Sequence, residues 1–72
     1  MSDTYAIVRT SNNRIVDLDD HETDYLAQEW FERRRYLHRY DITLVVMDFE
    51  DVLPPDVGDE VVWDEDGVAE LA

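Results

Sequence analysis

Residues 42–49 constrain the fold more than any other part of this 72-residue chain. Their sequence, ITLVVMDF, is apolar on both faces and rich in β-branched side chains. A strand that borders water alternates apolar and polar residues, whereas a strand covered on both sides reads as a nearly continuous apolar run. The prolines at positions 54 and 55 lie beyond its end, since proline cannot donate to a sheet ladder. The segment therefore predicts a central strand with the rest of the chain arranged around it.

Two strands are predicted before it, over residues 5–9 and 15–18, with turn-forming residues between them. Residues 12–13 are both asparagine, which tolerates positive φ angles. A two-residue turn there would pair Arg9 with Val16. We therefore expect an antiparallel hairpin at the start of the sheet.

A second hairpin is predicted after the central strand. Residues 60–63 and 68–71 are short apolar-containing runs, and Asp66 and Gly67 between them form a dipeptide that hairpin turns favour.

One long helix is predicted over residues 19–40. Asp19 can cap its first turn, and Glu22 completes a capping-box pattern. Apolar residues follow at helical spacing, at Leu26, Ala27, Trp30, Phe31 and Leu37. The predicted element order is β-β-α-β-β-β. Residues 1–72 are therefore expected to form a single α+β domain, in which the long helix packs on an antiparallel sheet of four to five short strands.

The charge of the chain is strongly one-sided. It holds nineteen acidic residues, six arginines and no lysine, for a net charge of −13. Repulsion among these charges destabilises a compact state in dilute buffer, but at molar salt the Debye length falls to ~3 Å and screens it. This aspartate-rich, lysine-free composition resembles that of proteins from salt-in halophilic archaea and their viruses. The resemblance implies a halophilic protein whose net charge keeps it soluble.

The size of the chain limits its core. A domain this short is marginally stable alone, and without cysteine it can form no disulfide. Its hydrophobic content of 44% is nevertheless too high for a disordered acidic tail. We therefore expect a folded domain that a partner completes, most simply a second copy in a homo-oligomer.

Four of the six arginines lie within residues 33–39, next to tyrosines. Arginine and tyrosine are enriched where proteins bind each other. The predicted partner-binding residues are Arg33, Arg35, Tyr36, Arg39 and Tyr40.

Three interpretations of this basic cluster stay open. First, acidic residues at the start of a helix and basic residues at its end are both favoured by the helix macrodipole, so the cluster can be explained without a ligand. Arg34, which falls in the apolar stripe, would pair with a carboxylate across the sheet or across a dimer interface. The cluster would also suit DNA phosphates, although a net charge of −13 opposes that attraction. The sequence therefore favours an acidic protein or a second copy over nucleic acid.

Residues 55–63, PDVGDEVVW, resemble the Gly-Asp-x-Val segment of swapped-hairpin, AbrB-like DNA-binding domains. Those domains carry a basic strand and a helical turn before this segment. The corresponding residues of this chain, 48–55, are instead acidic and interrupted by proline. No binding residues are therefore carried over from that family.

No catalytic, cofactor or metal site is expected. The chain has neither a nucleophile elbow nor a glycine-rich phosphate loop. Residues 17–28 begin like a calcium loop, but Glu22 stands where that loop needs glycine and Gln28 where it needs a carboxylate. His21 and His38 lie near opposite ends of the predicted helix, too far apart to share one metal ion within a single chain, although an antiparallel dimer could bring them together.

The expected function is a non-enzymatic assembly or interaction module that docks through the Arg/Tyr-rich helix end. The alternative is a small DNA-binding transcriptional regulator that uses the same basic helix. The polar, acidic first residues and the short apolar run at 44–47 predict a cytoplasmic protein or a virion component, with no membrane partner.

Overall fold

A computed structural model of the chain describes residues 2–48, 54–63 and 65–72. Its elements follow the predicted order and confirm the α+β class. They are β1 (Asp3–Arg9), β2 (Arg14–His21), α1 (Asp24–Arg34), a 3₁₀ turn (Arg35–Leu37), β3 (Ile42–Met47), β4 (Val61–Trp63) and β5 (Val68–Leu71).

The strands form one sheet in the order β2-β1-β3-β5-β4, so β3 is central as predicted. Val45 and Met47 are buried on one face of β3, while Leu44 and Val46 pack on the opposite face against the helix cluster. Every neighbouring pair is antiparallel except β3 and β5, which run parallel. The predicted end of the central strand, Phe49, lies outside the described residues.

The two edges of the sheet meet, which the sequence did not predict. Arg14 of β2 forms an antiparallel bridge with Glu60, just before β4. The Ile15 amide donates to the Asp59 carbonyl at 2.9 Å, and the Val61 amide donates to the Asn13 carbonyl at 2.8 Å. The sheet thus curls around an inner core to which all five strands contribute: Ala6, Val8, Ile15, Val45, Met47, Val61 and Ala69.

The first hairpin is present, but its predicted register is wrong. Arg9 pairs with Arg14 and not with Val16, because the turn is longer and Asn13 adopts a φ of 59°. The register shifts next to Ile7, where Val16 is an extra residue without a partner on β1. This bulge turns Val16 towards the helix and returns Leu18 to the inner core.

The helix is shorter than predicted at both ends. Its first predicted residues belong to β2, whose pairing with β1 continues to His21. Thr23 is the N-cap instead of Asp19, and its hydroxyl accepts a hydrogen bond from the Leu26 amide at 3.2 Å. At the other end, α1 stops at Arg34 and the chain passes through the 3₁₀ turn into extended backbone at His38. The chain thus leaves the helix at His38 and enters β3 at Ile42.

The helix packs on the outer face of the sheet. Ala27 and Trp30 are buried there with Tyr5 and Ile7 of β1, and Phe31 packs against them. The remaining predicted members of the apolar stripe, Leu26 and Leu37, are exposed.

Candidate interaction surface

The five predicted partner-binding residues lie along one continuous stretch of chain. Arg33 is in the last turn of α1, and Arg35 and Tyr36 are in the 3₁₀ turn. Arg39 and Tyr40 follow this turn, and Asp41 separates them from β3. All five are exposed. We call these five residues the Arg/Tyr surface.

The change from α-helix to 3₁₀ turn at Arg35 leaves two large side chains exposed on this surface. In the 3₁₀ turn, Tyr36 is 92% exposed and the neighbouring Leu37 is 67% exposed. The turn is closed by the His38 amide, which donates to the Arg35 carbonyl at 3.3 Å. A phenol ring and an isobutyl group therefore stand in solvent, flanked by arginines.

Some of the clustered arginines are paired within the chain. Arg34 contacts the Asp17 carboxylate of β2 at 3.5 Å, which agrees with the interpretation that it pairs across to the sheet. Arg35 contacts Glu32 at 3.3 Å, and Arg33 donates from Nε to the Glu29 carbonyl at 3.4 Å. Exposed pairs of this kind contribute only about 0.2–1 kcal/mol, so a stronger partner can displace them.

Arg39 differs from the others. Within the described ranges, no hydrogen bond or ion pair involves its side chain, which is exposed. Its charge is thus available to a binding partner.

Tyr40 is held in place by an arginine that sequence reasoning missed. The Arg9 guanidinium carbon lies 4.2 Å from the centre of the Tyr40 ring, and the His38 ring is 5.5 Å away. The nitrogen atoms Nε of Arg9 and Nε2 of His38 are buried, and neither has a hydrogen-bond partner among the described atoms. A cation over a tyrosine face is stabilising, so Arg9 positions the last residue of the surface.

A shallow depression continues the surface along the helix. Its volume is ≈ 410 Å³, and it is lined by Tyr25, Gln28, Glu29, Glu32 and Arg33. Tyr25 is itself 70% exposed. The outward side of α1 is therefore a mixed aromatic and charged face.

A second polar cluster joins the helix to the sheet at its other end. Tyr5 donates its hydroxyl to the Asp24 carboxylate at 2.5 Å. His21 lies between the rings of Tyr5 and Trp30, with centroid distances of 5.9 and 5.2 Å, and its Nε2 is 3.3 Å from Asp19. The hydrogen bond to Asp24, burial and the nearby negative charges raise the pKa of Tyr5 to about 12. The cluster anchors the start of α1.

Both histidines contact aromatic rings. In the part of the chain that the structure describes, no three His, Asp or Glu side chains converge as metal ligands would. His21 packs against Trp30, and His38 packs against Tyr40. Among the described residues, no helix is long and apolar enough to cross a membrane.

No protein-family model, curated protein or solved structure matches this chain. What the surface does is therefore inferred from its own geometry and charge.

Proposed function

We propose that this protein is a small, non-enzymatic assembly module of a halophilic archaeon or its virus, acting in the cytoplasm or within a virion. Its Arg/Tyr surface docks on an acidic surface of a second copy of the same chain. The observation that carries the proposal is the exposed Tyr36–Leu37 pair, flanked by arginines on both sides.

The chemistry of these residues supports protein docking. Tyrosine and arginine dominate binding hot spots, because they combine large contact areas with few rotatable bonds or several hydrogen-bond donors. Tyr36 is 92% exposed, so covering its ring with a partner removes apolar surface from water and stabilises the complex.

Charge complementarity supports a second copy as the partner. Residues 33–40 hold four arginines and no acid, whereas the rest of the chain holds two arginines against nineteen acids. A basic surface on an otherwise acidic molecule matches almost any other part of an identical molecule. At the high salt that the composition suits, the attraction is short-ranged, so aromatic contact supplies much of the affinity.

Light scattering after size-exclusion chromatography in molar KCl tests the proposal. We expect an oligomer whose dissociation constant rises about tenfold or more in the double variant Tyr36→Ala/Arg39→Ala. Val62→Ala is the control, since it removes an exposed apolar side chain from β4, away from the Arg/Tyr surface, and should leave the oligomer intact. A strictly monomeric wild-type chain, or equal effects of the two variants, would contradict self-docking.

DNA binding is the less supported alternative. Arg34 and Arg35 already contact carboxylates of their own chain, and the net charge of −13 repels a polyanion. In a titration of duplex DNA over a salt series, we expect no binding. A steep salt slope that disappears in Arg33→Ala/Arg35→Ala would reverse this preference.

A further inference from the structure

The two edges of the sheet part again beyond the point where they meet. They are joined by the antiparallel bridge between β2 and the residue before β4. Continued in the same register, this pairing would place Pro55 opposite Asp19 and Pro54 opposite Asp20. Proline has no N–H to donate to a ladder, and among the described residues no ladder joins these positions. A groove is left between the two edges.

This groove, which we call the β2 groove, combines apolar walls with negative charge. Its volume is ≈ 470 Å³, within the range of pockets that enclose small organic groups. Its lining consists of Thr4, Leu18, Asp19, Asp20, Pro54 and Pro55. The leucine and the prolines are apolar, two of the six residues are acidic, and none of the six is basic.

Few hydrogen-bond donors of the β2 groove are left for a ligand. The Leu18 amide donates to the Asp17 carboxylate at 3.1 Å. The Asp20 amide donates to the Asp19 carboxylate at 3.0 Å. The two prolines contribute no N–H at all. The groove therefore offers acceptors and apolar surface.

Both carboxylates of the β2 groove can accept further hydrogen bonds. Asp20 accepts one from the Thr4 hydroxyl at 2.7 Å, and Asp19 lies 3.3 Å from Nε2 of His21. An ionised carboxylate has about four acceptor positions, and both side chains are exposed. A ligand that fits this groove must bring donors, positive charge and apolar surface.

The Arg/Tyr surface has this complementary chemistry. A guanidinium group carries five donors and no acceptor, and the Arg39 side chain has no hydrogen bond or ion pair within the described ranges. Tyr36 offers an exposed apolar ring with a polar hydroxyl. The depression along α1 fits this surface less well, because Arg33 is part of its lining.

We infer that the β2 groove is the acceptor for the Arg/Tyr surface of a second copy. Tyr36 of one copy packs against Leu18 and the prolines of the other, while Arg39 pairs with the carboxylates of Asp19 and Asp20. The inference rests on the self-docking proposed above and identifies the acidic surface that it uses.

The position of the two surfaces makes this contact heterologous. The β2 groove lies at the start of β1, where Thr4 lines it, whereas Tyr40 lies against Arg9 at the end of β1. The groove and the Arg/Tyr surface have no residue in common. A surface that meets a different surface of the next copy forms a head-to-tail contact.

A mixing experiment in molar KCl tests this contact. Asp20→Arg reverses a charge in the β2 groove, and Tyr36→Ala/Arg39→Ala removes the docking side chains. Each variant alone should have a dissociation constant raised about tenfold or more. An equimolar mixture should regain wild-type affinity, because the first variant keeps an intact Arg/Tyr surface and the second keeps an intact groove. Size-exclusion chromatography with light scattering measures the masses.

Two further variants serve as controls. Glu70→Arg makes the same change in net charge on β5, outside the groove, and should not weaken association. Asp20→Asn keeps an acceptor for Thr4 and should weaken association less than Asp20→Arg, but in the same direction.

The outcomes separate this inference from the proposed function. Association that is restored in the mixture supports both. Wild-type association of Asp20→Arg, equal weakening by Glu70→Arg, or a mixture that stays dissociated overturns the β2 groove as the acceptor, while self-docking through Tyr36 stands. A wild-type chain that is monomeric at every concentration overturns both.

Discussion

The Tyr5 hydroxyl should make stability depend on pH in the alkaline range. Its pKa is raised from 10.0 to about 12, so the folded state favours the protonated phenol. The stabilisation is fully present below pH 10 and is lost as the pH rises towards 12. Urea denaturation from pH 7 to pH 12 should therefore show a falling free energy of unfolding above about pH 10.

Tyr5→Phe provides the direct comparison. At neutral pH it should lower the free energy of unfolding by about 1 kcal/mol, because one hydrogen bond to a carboxylate is lost. It should also flatten the alkaline decline relative to the wild type. Tyr36→Phe, at an exposed tyrosine, should change neither quantity. An unchanged alkaline slope in Tyr5→Phe would show that another group causes the decline.

Tyr5 was predicted from the sequence only as a strand residue, although its hydroxyl reaches the first turn of α1. Arg33, Arg35 and Arg39 were recognisable as exposed cations, because charge alone indicates exposure. Arg9 was not recognisable as the partner of Tyr40, since the two are brought together only by the pairing of β1 with β3.

Secondary-structure elements were predictable where their signals are local. The two-sided apolar run identified β3, and the Asp66–Gly67 dipeptide identified the β4–β5 hairpin, in which Gly67 has a φ of 83°. The predicted start of α1 was wrong because residues 19–21 pair with β1. No local sequence pattern shows that these residues extend a strand instead of beginning a helix. The bulge at Val16 was missed for the same reason.

The true start of the helix can be tested at its cap. Thr23→Ala should lower the free energy of unfolding by ~1 kcal/mol, since the Leu26 amide loses its acceptor. Asp19→Ala, at the cap that the sequence suggested, should have a smaller effect because Asp19 lies in β2. Urea denaturation of both variants in molar KCl compares them. A larger loss of unfolding free energy in Asp19→Ala than in Thr23→Ala would support the longer predicted helix.

The hairpin turn gives a second test at this scale. Gly67→Ala should destabilise the fold by about 1 kcal/mol, because alanine disfavours a positive φ. An added Cβ would meet no atom within 4 Å, so the cost is conformational and not steric. Gly67→Asn should therefore lose less, since asparagine tolerates this backbone region. Equal thermal unfolding midpoints for both variants would contradict the strained turn.

At the scale of the whole molecule, the fold class was predictable from the sequence, but the contact between the two edges of the sheet was not. This contact depends on backbone hydrogen bonds between residues 13–15 and 58–61, which the pattern of side chains does not indicate. The exposed acids surround this small closed structure, and their mutual repulsion acts against it.

Stability should consequently rise with salt. The free energy of unfolding should increase as KCl is raised from about 0.1 M to about 1 M, over which the Debye length falls from ~10 to ~3 Å. Neutral osmolytes at matched osmolality serve as the control, because they change water activity without screening charge. Greatest stability in dilute buffer would contradict the halophilic interpretation.

The closed sheet also determines the order in which the protein can assemble during its synthesis. The inner core joins Ala6, near the start of the chain, to Ala69, near its end. Its burial is therefore complete only after the last strand has left the ribosome, and the nascent chain carries its apolar strands uncovered until then. Such distant pairing makes for slow folding, and we expect the dense negative charge to keep the unfinished chains soluble until the core closes.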